Sequence, residues 1–364
     1  MLTKLHLSNF RSYNDKLIEL SPNLTVVVGP NAAGKTNILE AISLLSTGTS
    51  FRAELSREMI QEGEELARVK GIIVSSSSPK SLNSPTPQKT ELEVFVTTGI
   101  VGGQKAPFKK LLVDRLGRHL TTFVGNLPTV IFWPEDLALV IGSPSGRRRY
   151  LDRVLSQTHR EYRRATGAYE KALRVRNRLL KYIKKGEYIE EDQMTYWNGV
   201  LVECASVITP LRKQLLDFIN TVTIPEEDHL SFQVEYDHSV MSAERLQKYF
   251  VEERAAGVTL VGPHRDDFFI LMSERKGKSK DLNRFGSRGE QRLGVLWLKL
   301  SELAYLEKIN GTRPLLLLDD IFSELDENHR KLIHSILPHQ QTIMTTTDIR
   351  FVNKNFKSLE MIEL

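Results

Sequence analysis

Eight consecutive residues, Gly29-Pro30-Asn31-Ala32-Ala33-Gly34-Lys35-Thr36, limit what this chain can fold into more than any other feature. They match G-x-x-x-x-G-K-[ST] in full and sit where that pattern has a mechanical meaning. A β-branched run, Leu24–Val28, ends at Gly29, and Asn37–Leu45 carries apolar residues at helical spacing. Strand, glycine-rich turn and helix together wrap backbone N–H groups and a helix N-terminus around a phosphate. A chance glycine-rich turn would need neither flank. Gly29 to Asn37 is therefore read as an ATP cradle, with Lys35 reaching the β- and γ-phosphates and the Thr36 hydroxyl ligating Mg2+.

A complementary piece lies near the other end of the chain. Leu315–Leu318 is a short wholly apolar run, as expected of a strand buried on both faces, and Asp319-Asp320 follow it directly. Alone, this would be an ordinary strand end. Beside a P-loop, Asp319 is placed to hold Mg2+ through water, and Asp320 to orient or deprotonate the attacking water. Ser287-Arg288-Gly289-Glu290 opens a helix expected over Glu290–Glu307. A serine and a glycine at a helix start make an anion site, and the same residues also read as a plain capping box.

The remaining periodicities set the organisation. Residues 1–28 alternate as strands, and Ser75–Gln88 is a Ser/Pro-rich hairpin tip between strands at Val69–Val74 and Glu91–Thr97. From Leu151 the spacing turns helical and runs through Leu173. A second helical stripe runs from Met194 to Phe218 across Pro210, joined to the first by the polar stretch Lys184–Asp192. Strands resume at Thr259–Val261 and Phe268–Leu271, and a last one is expected near Thr342–Thr346. The expected fold is α/β: a P-loop ATPase head with a mixed sheet flanked by helices, residues 1–145 and 258–364, interrupted by a helical arm at 146–257.

Charge separates the arm from the rest. The chain carries +5 overall, yet Arg147–Lys185 holds 14 Lys/Arg against three acids, Asp152, Glu161 and Glu170, so everything else is net acidic. Solvated helices commonly mix signs as i,i+4 pairs. This segment does not, so Arg160, Arg163, Arg164, Arg174 and Arg178 are candidate DNA-phosphate contacts, a solvated face being the alternative. Arg147-Arg148-Arg149 serve equally well as partners for head carboxylates. His264 is a candidate nucleotide sensor or part of a structural turn, and the tryptophans at 133, 197 and 297 are read as core. A single cysteine, Cys204, excludes an internal disulfide or a cysteine zinc site. No secretory leader and no membrane-length apolar run are read, so a cytoplasmic protein without a membrane partner is expected.

The order P-loop, S-x-G-E element, hhhhDD strand and Ser323-Glu324-Leu325-Asp326 is similar to ABC-type ATPase heads of the SMC class. More closely, Asn9-Phe10-Arg11-Ser12-Tyr13, Gly29–Glu40, Ser50-Phe51-Arg52, Phe132–Asp152, Gly262–Asp267, Ser287–Arg292 and Leu315–Asp326 resemble the bacterial RecF family of DNA replication and repair proteins. The resemblance implies a head-to-tail, ATP-dependent homodimer on duplex DNA near gaps or single-strand/duplex junctions. It further implies RecO and RecR as partners in loading the RecA recombinase. It puts Ser287 and Gly289 in trans on the γ-phosphate, Asp326 at the dimer interface, and Arg11 and Arg52 near the phosphates. Some positions depart from ABC heads. Glu290 stands where many RecF-like chains have Gln; Asp320 is one methylene shorter than the usual catalytic glutamate; Thr347 takes the switch position often held by His. No Q-loop glutamine is found, and Pro134-Glu135-Asp136-Leu137 stands in its place. Slow ATP hydrolysis is what these departures imply, and the resemblance implies that DNA stimulates it. A transporter motor subunit, a small-molecule kinase and another SMC-like head, such as a phage-defence ATPase, are the competing readings.

Overall fold

The structure, a computed structural model, describes residues 1–74, 88–224, 230–274, 278–348, 350 and 359–364. Contacts divide it into two compact units: Met1–Glu135 with Leu306–Leu364, and Asp136–Tyr305.

The first unit is built on two sheets. One is antiparallel and six-stranded, in the order Tyr13–Glu19, Leu2–Phe10, Leu66–Val74, Lys89–Thr97, Lys109–Val113, Leu116–Arg118. The other is parallel and five-stranded, in the order Thr129–Phe132, Leu315–Asp319, Thr342–Thr346, Leu24–Val28, Leu359–Glu363. The helix Lys35–Thr47 packs against both. Its Ile38, Leu39, Ala41, Ile42, Leu44 and Leu45 are fully buried in one core with Leu5 and Leu7 of the antiparallel sheet and Val27, Leu317 and Ile343 of the parallel one. Burying a helix on both faces explains why its apolar positions outnumber a single stripe. The approach is close. A Cβ on Gly71 would lie 2.7 Å from Leu45 Cδ1, so the strand presents a glycine there. Strand Leu315–Asp319 is buried along its whole length, as parallel strands covered on both faces must be. The Ser/Pro-rich hairpin tip falls, apart from Gln88, outside the described residues; the strands flanking it pair antiparallel up to Val74 and Lys89.

In the second unit the long helical stripe divides at His159 into Pro144–Thr158 and Arg160–Lys184. The latter pairs with Glu191–Ile219, which continues through Pro210. Two features differ from the sequence expectation. Thr259–Val261 is not a strand: side chains satisfy its backbone instead, with Asn177 Oδ1 accepting from Thr259 N at 2.8 Å. The segment expected to be wholly helical contains a strand, Leu230–Asp237, in which Leu230, Phe232, Val234 and Tyr236 alternate with polar residues. It pairs with Asp267–Glu274 in a three-stranded sheet that also takes in Lys280–Asp281. This pairing groups residues 258–305 with the helices.

Polar contacts lock that grouping. Arg147 meets Asp267 through two bonds of 2.6 and 2.8 Å, and Arg148 donates to the Asp266 carbonyl. Arg212, nearly buried, reaches Asp266, Asp152, Tyr162 and the Pro263 carbonyl. Arg176 is fully buried against Glu253, Asn198 and Thr259. Buried charges persist only when paired and hydrogen-bonded this completely. Within the first turn of the Gly262–Asp267 stretch, His264 Nε2 lies 3.0 Å from the Thr259 carbonyl and Nδ1 2.7 Å from the Tyr169 hydroxyl. A carbonyl only accepts, so Nε2 carries the proton and Nδ1 takes the tyrosine's. Among the described residues, no helix is long and apolar enough to cross a membrane.

Burial is the main reason that the His264 pKa falls to about 4, with the charges of Arg265 and Arg148 adding and the Thr259 carbonyl opposing. An unfolded histidine, near 6.5, takes up its proton first as the pH drops. The stability that neutral His264 contributes is therefore complete above about pH 6.5 and is lost as the pH falls toward 4, at up to about 1.4 kcal/mol per pH unit. His264→Gln is expected to flatten this part of the acid limb, read as the melting temperature of variant minus parent between pH 7 and 4.5.

Candidate nucleotide site and basic helix face

The P-loop joins the parallel strand Leu24–Val28 to the helix Lys35–Thr47. Gly34 takes φ +103°, and a Cβ there would come within 2.9 Å of Ser12 Oγ and 3.0 Å of the Tyr13 hydroxyl, so glycine is required on both counts. Lys35 Nζ donates to the carbonyls of Gly29 at 2.7 Å and Pro30 at 2.8 Å, which curls the loop around its ammonium. The Thr36 hydroxyl lies 2.9 Å from both carboxylate oxygens of Asp319. Two residues remote in sequence are thus brought together at the C-terminal edge of the parallel sheet, from strands on either side of Thr342–Thr346, where open parallel sheets hold ligands.

Asp320 follows in a left-handed conformation, φ 48° and ψ 26°. Its Oδ1 is buried and has no hydrogen-bond partner among the described residues. Burial, and secondarily the charge of Asp319, raise its pKa, while the Lys35 ammonium, Ser323 and the Thr347 backbone oppose the rise. A carboxylate so placed is a better proton acceptor than a solvated one.

Arg11, an expected phosphate contact, bonds here to protein groups. Its guanidinium holds the fully buried Glu40 of the P-loop helix through bonds of 2.8 and 2.7 Å and also reaches the Glu58 carbonyl. Ser50 donates to the same carboxylate. Arg11 therefore pins the Asn9–Tyr13 turn against the helix. Arg52 lies 3.3 Å from Asn37 Oδ1, one residue beyond the P-loop. Glu40 escaped the sequence reading because it falls inside an apolar stripe, although a charged residue in such a stripe is itself a signal of a buried pair.

Ser287 and Gly289 belong to the other compact unit. Ser287 Oγ accepts from Glu290 N at 3.3 Å, and the Glu290 carboxylate accepts from Ser287 N at 2.7 Å and from Lys280 Nζ at 2.7 Å. The capping box is real. It does not account for Gly289, where an added Cβ would meet nothing within 4 Å. Asp326 caps the helix Glu327–Ile336 by accepting from His329 N at 3.0 Å, with its side chain 64% exposed.

The basic segment separates by burial. Arg147 and Arg176 are buried in ion pairs, and Arg163 is half-buried with its guanidinium on the Ser156 carbonyl, so it serves the joint between two helices. Arg160, Arg164, Arg174 and Arg178 are exposed, and Lys171 and Lys181 are exposed with them. Their spacing of three, four and seven puts them on one face of Arg160–Lys184.

Comparison with known proteins agrees with this geometry. The RecF/RecN/SMC N-terminal domain model matches residues 1–363. The DNA replication and repair protein RecF of Herpetosiphon aurantiacus is 35% identical over 98% of this chain and 96% of its own length. The chain belongs to the RecF family. The RecF of Halalkalibacterium halodurans is 33% identical over 96% of this chain and 93% of its own. A solved structure described as the recombination mediator protein RecF with ATP in the RecFOR pathway superposes with a TM-score of 0.84 at 30% identity, over 98% of this chain and 93% of that one. A Pyrococcus furiosus Smc head, at 16% identity and a TM-score of 0.51 over 95% of this chain and 89% of that one, shares the fold. The ABC-type ATPase head of RecF and SMC proteins is thus the architecture here.

Lys35→Ala is expected to abolish ATP binding while the protein stays folded, because the loop loses the cation around which it curls. Calorimetric titration with ATP, checked against an unchanged circular dichroism spectrum, reads this directly.

Proposed function

We propose that this RecF-family chain is an ATP-dependent DNA-binding protein of recombinational repair and replication, working as a head-to-tail homodimer on duplex DNA near single-strand gaps. The observation that carries the reading is a divided constellation. Lys35, Thr36, Asp319 and Asp320 converge in one unit, while Ser287 and Gly289 stand in the other with a glycine that the chain's own packing does not require. An absent Cβ with open space around it suits the close approach of a phosphate held by a second copy. Asp326, exposed on its cap, is proposed to lie at the same interface.

Thr36 and Asp319 fit Mg2+, which takes oxygen ligands and is commonly held by one carboxylate together with substrate phosphates. Bound there, it would supply positive charge against the β- and γ-phosphates. Lys35 neutralises the same groups, the P-loop N–H groups orient them, and Asp320 accepts a hydrogen bond or a proton from the attacking water through its free Oδ1. Asp320 reaches one methylene less far than a glutamate, and Thr347 offers no imidazole, so turnover is slow and rises only on DNA. Slow hydrolysis suits a protein that marks a site and then resets. RecO and RecR are the proposed partners at that site, where RecA is loaded, and the work is cytoplasmic.

The exposed basic face of Arg160–Lys184 tracks the DNA backbone. Each phosphate it neutralises adds about 0.9 to the slope of log affinity against log salt. No base-reading module accompanies it, so binding is not sequence-specific.

Sedimentation of the protein with and without ATP and duplex DNA tests the whole reading; a species that stays monomeric under saturating ATP and DNA while hydrolysing normally overturns it. Ser287→Arg is expected to bind ATP like the parent yet remain monomeric, as followed by static light scattering. Replacing Arg160, Arg164, Arg174 and Arg178 together by Glu is expected to weaken duplex binding and to reduce the salt slope by ~3.6 if each contacts one phosphate. Fluorescence anisotropy across a salt series reads both, and an unchanged slope removes this helix from the DNA path.

A further inference from the structure

Thr345 lies in the fully buried strand Thr342–Thr346, between the strand that ends in Asp319 and the strand that leads into the P-loop. It sits opposite Asp319 in one register and Val27 in the other. A hydroxyl with no solvent exposure costs free energy unless both its donor and its acceptor capacity are used. Both are used here. Thr345 Oγ1 donates to Asp319 Oδ1 at 2.7 Å and accepts from Asp320 N at 3.0 Å. The Thr345 carbonyl takes the same Asp320 N–H at 3.2 Å. One side chain therefore touches both acidic residues of the site, one through its carboxylate and one through its backbone.

The two carboxylate oxygens of Asp319 are not equivalent in consequence. Oδ1 is shared by the Thr36 and Thr345 hydroxyls; Oδ2, among the described residues, has only Thr36. Thr36 is the group that the P-loop presents to a cation, so Oδ2 is the oxygen left to face that cation when Thr36 turns to it. The backbone contact has a parallel effect on Asp320. Its left-handed φ of 48° is uncommon for a residue other than glycine and persists where surrounding contacts determine it. The Thr345 hydroxyl and carbonyl, both on the Asp320 N–H, supply that determination.

We infer that Thr345 is a positioning residue for the hydrolytic site, setting the carboxylate of Asp319 for Mg2+ and the backbone of Asp320 for the attacking water. The inference rests on the ATP and Mg2+ reading above. Partners that orient a metal-binding carboxylate typically contribute 10- to 100-fold to metal affinity or activity.

The test uses the full chain. Thr345→Val keeps the side-chain shape and removes the hydroxyl; Thr345→Ser keeps the hydroxyl. Binding of a fluorescent ATP analogue is titrated without Mg2+ and at rising Mg2+, and kcat and KM for ATP are measured in parallel. The Val variant is expected to bind the analogue like the parent without Mg2+. Its half-maximal Mg2+ concentration should rise by about 10- to 100-fold, and its kcat should fall with KM nearly unchanged. The Ser variant should restore both. A Val variant that keeps the parent's melting temperature and the parent's Mg2+ dependence overturns the inference. Thr345→Ala carries the same expectation where the Val methyl crowds the strand. Loss of Mg2+-free binding in Val and Ala alike, with Ser unable to restore it, also overturns the inference, because Thr345 would then serve only the sheet. If the parent itself binds the analogue no better with Mg2+ than without, the metal reading of the pocket fails instead.

Discussion

Asp319 accepts hydrogen bonds from two threonine hydroxyls, Thr36 at the start of the P-loop helix and Thr345 on the neighbouring strand. Those contacts need three segments, far apart in sequence, to end at one level. The parallel register supplies this: Asp319 stands opposite Thr345, and Thr345 opposite Val27, two residues before the loop begins. A slip of one position would turn each side chain to the opposite face of the sheet. The core prevents such a slip, because Leu315–Leu318 and Val26–Val27 are buried on both sides and the P-loop helix is wedged against two sheets. Chemistry at the sheet edge thus inherits its precision from apolar packing beneath it.

The second unit answers a different physical demand. It carries an exceptional density of arginine, and the fold divides these residues by what they can pair with. Arg147, Arg176 and Arg212 are drawn inside, each paired with a carboxylate: Arg147 with Asp267, Arg212 with Asp266 and Asp152, and Arg176 with Glu253. Burying them unpaired would cost more than the fold could recover. The stretch Gly262–Asp267 is therefore a structural hub: two acids, a carbonyl and the neutral His264 tie three helices to a strand. What remains exposed along Arg160–Lys184 has few acidic neighbours on its own helix and forms a row of cations at the surface.

Much of this was legible in the residues. The P-loop, the strand ending in Asp319-Asp320 and the capped start at Ser287 each carry short-range patterns whose spacing reflects local geometry, and each lies where it was expected. Arg163 shows the limit of such reading. It has the same residue type and nearly the same spacing as Arg160 and Arg164, yet it bonds to the Ser156 carbonyl because the chain turns at His159. Arg11 is similar: a motif arginine close to the P-loop in sequence order, but held by Glu40, whose burial no periodicity announces. Strand Leu230–Asp237 is a different case: Leu230, Phe232, Val234 and Tyr236 alternate strictly with polar residues, a strand signal that the expectation of a wholly helical arm passed over.

The sequence by itself determined the P-loop turn, the buried strand ending in Asp319-Asp320 and the family, because glycine conformations, helix starts and apolar runs are properties of neighbouring residues. Tertiary structure alone decided which arginines are buried, how Asp319 is oriented and which groups Thr345 bonds. Those outcomes depend on which strand lies beside which, and pairing across hundreds of residues is set by the collective packing of the core, which no local pattern encodes.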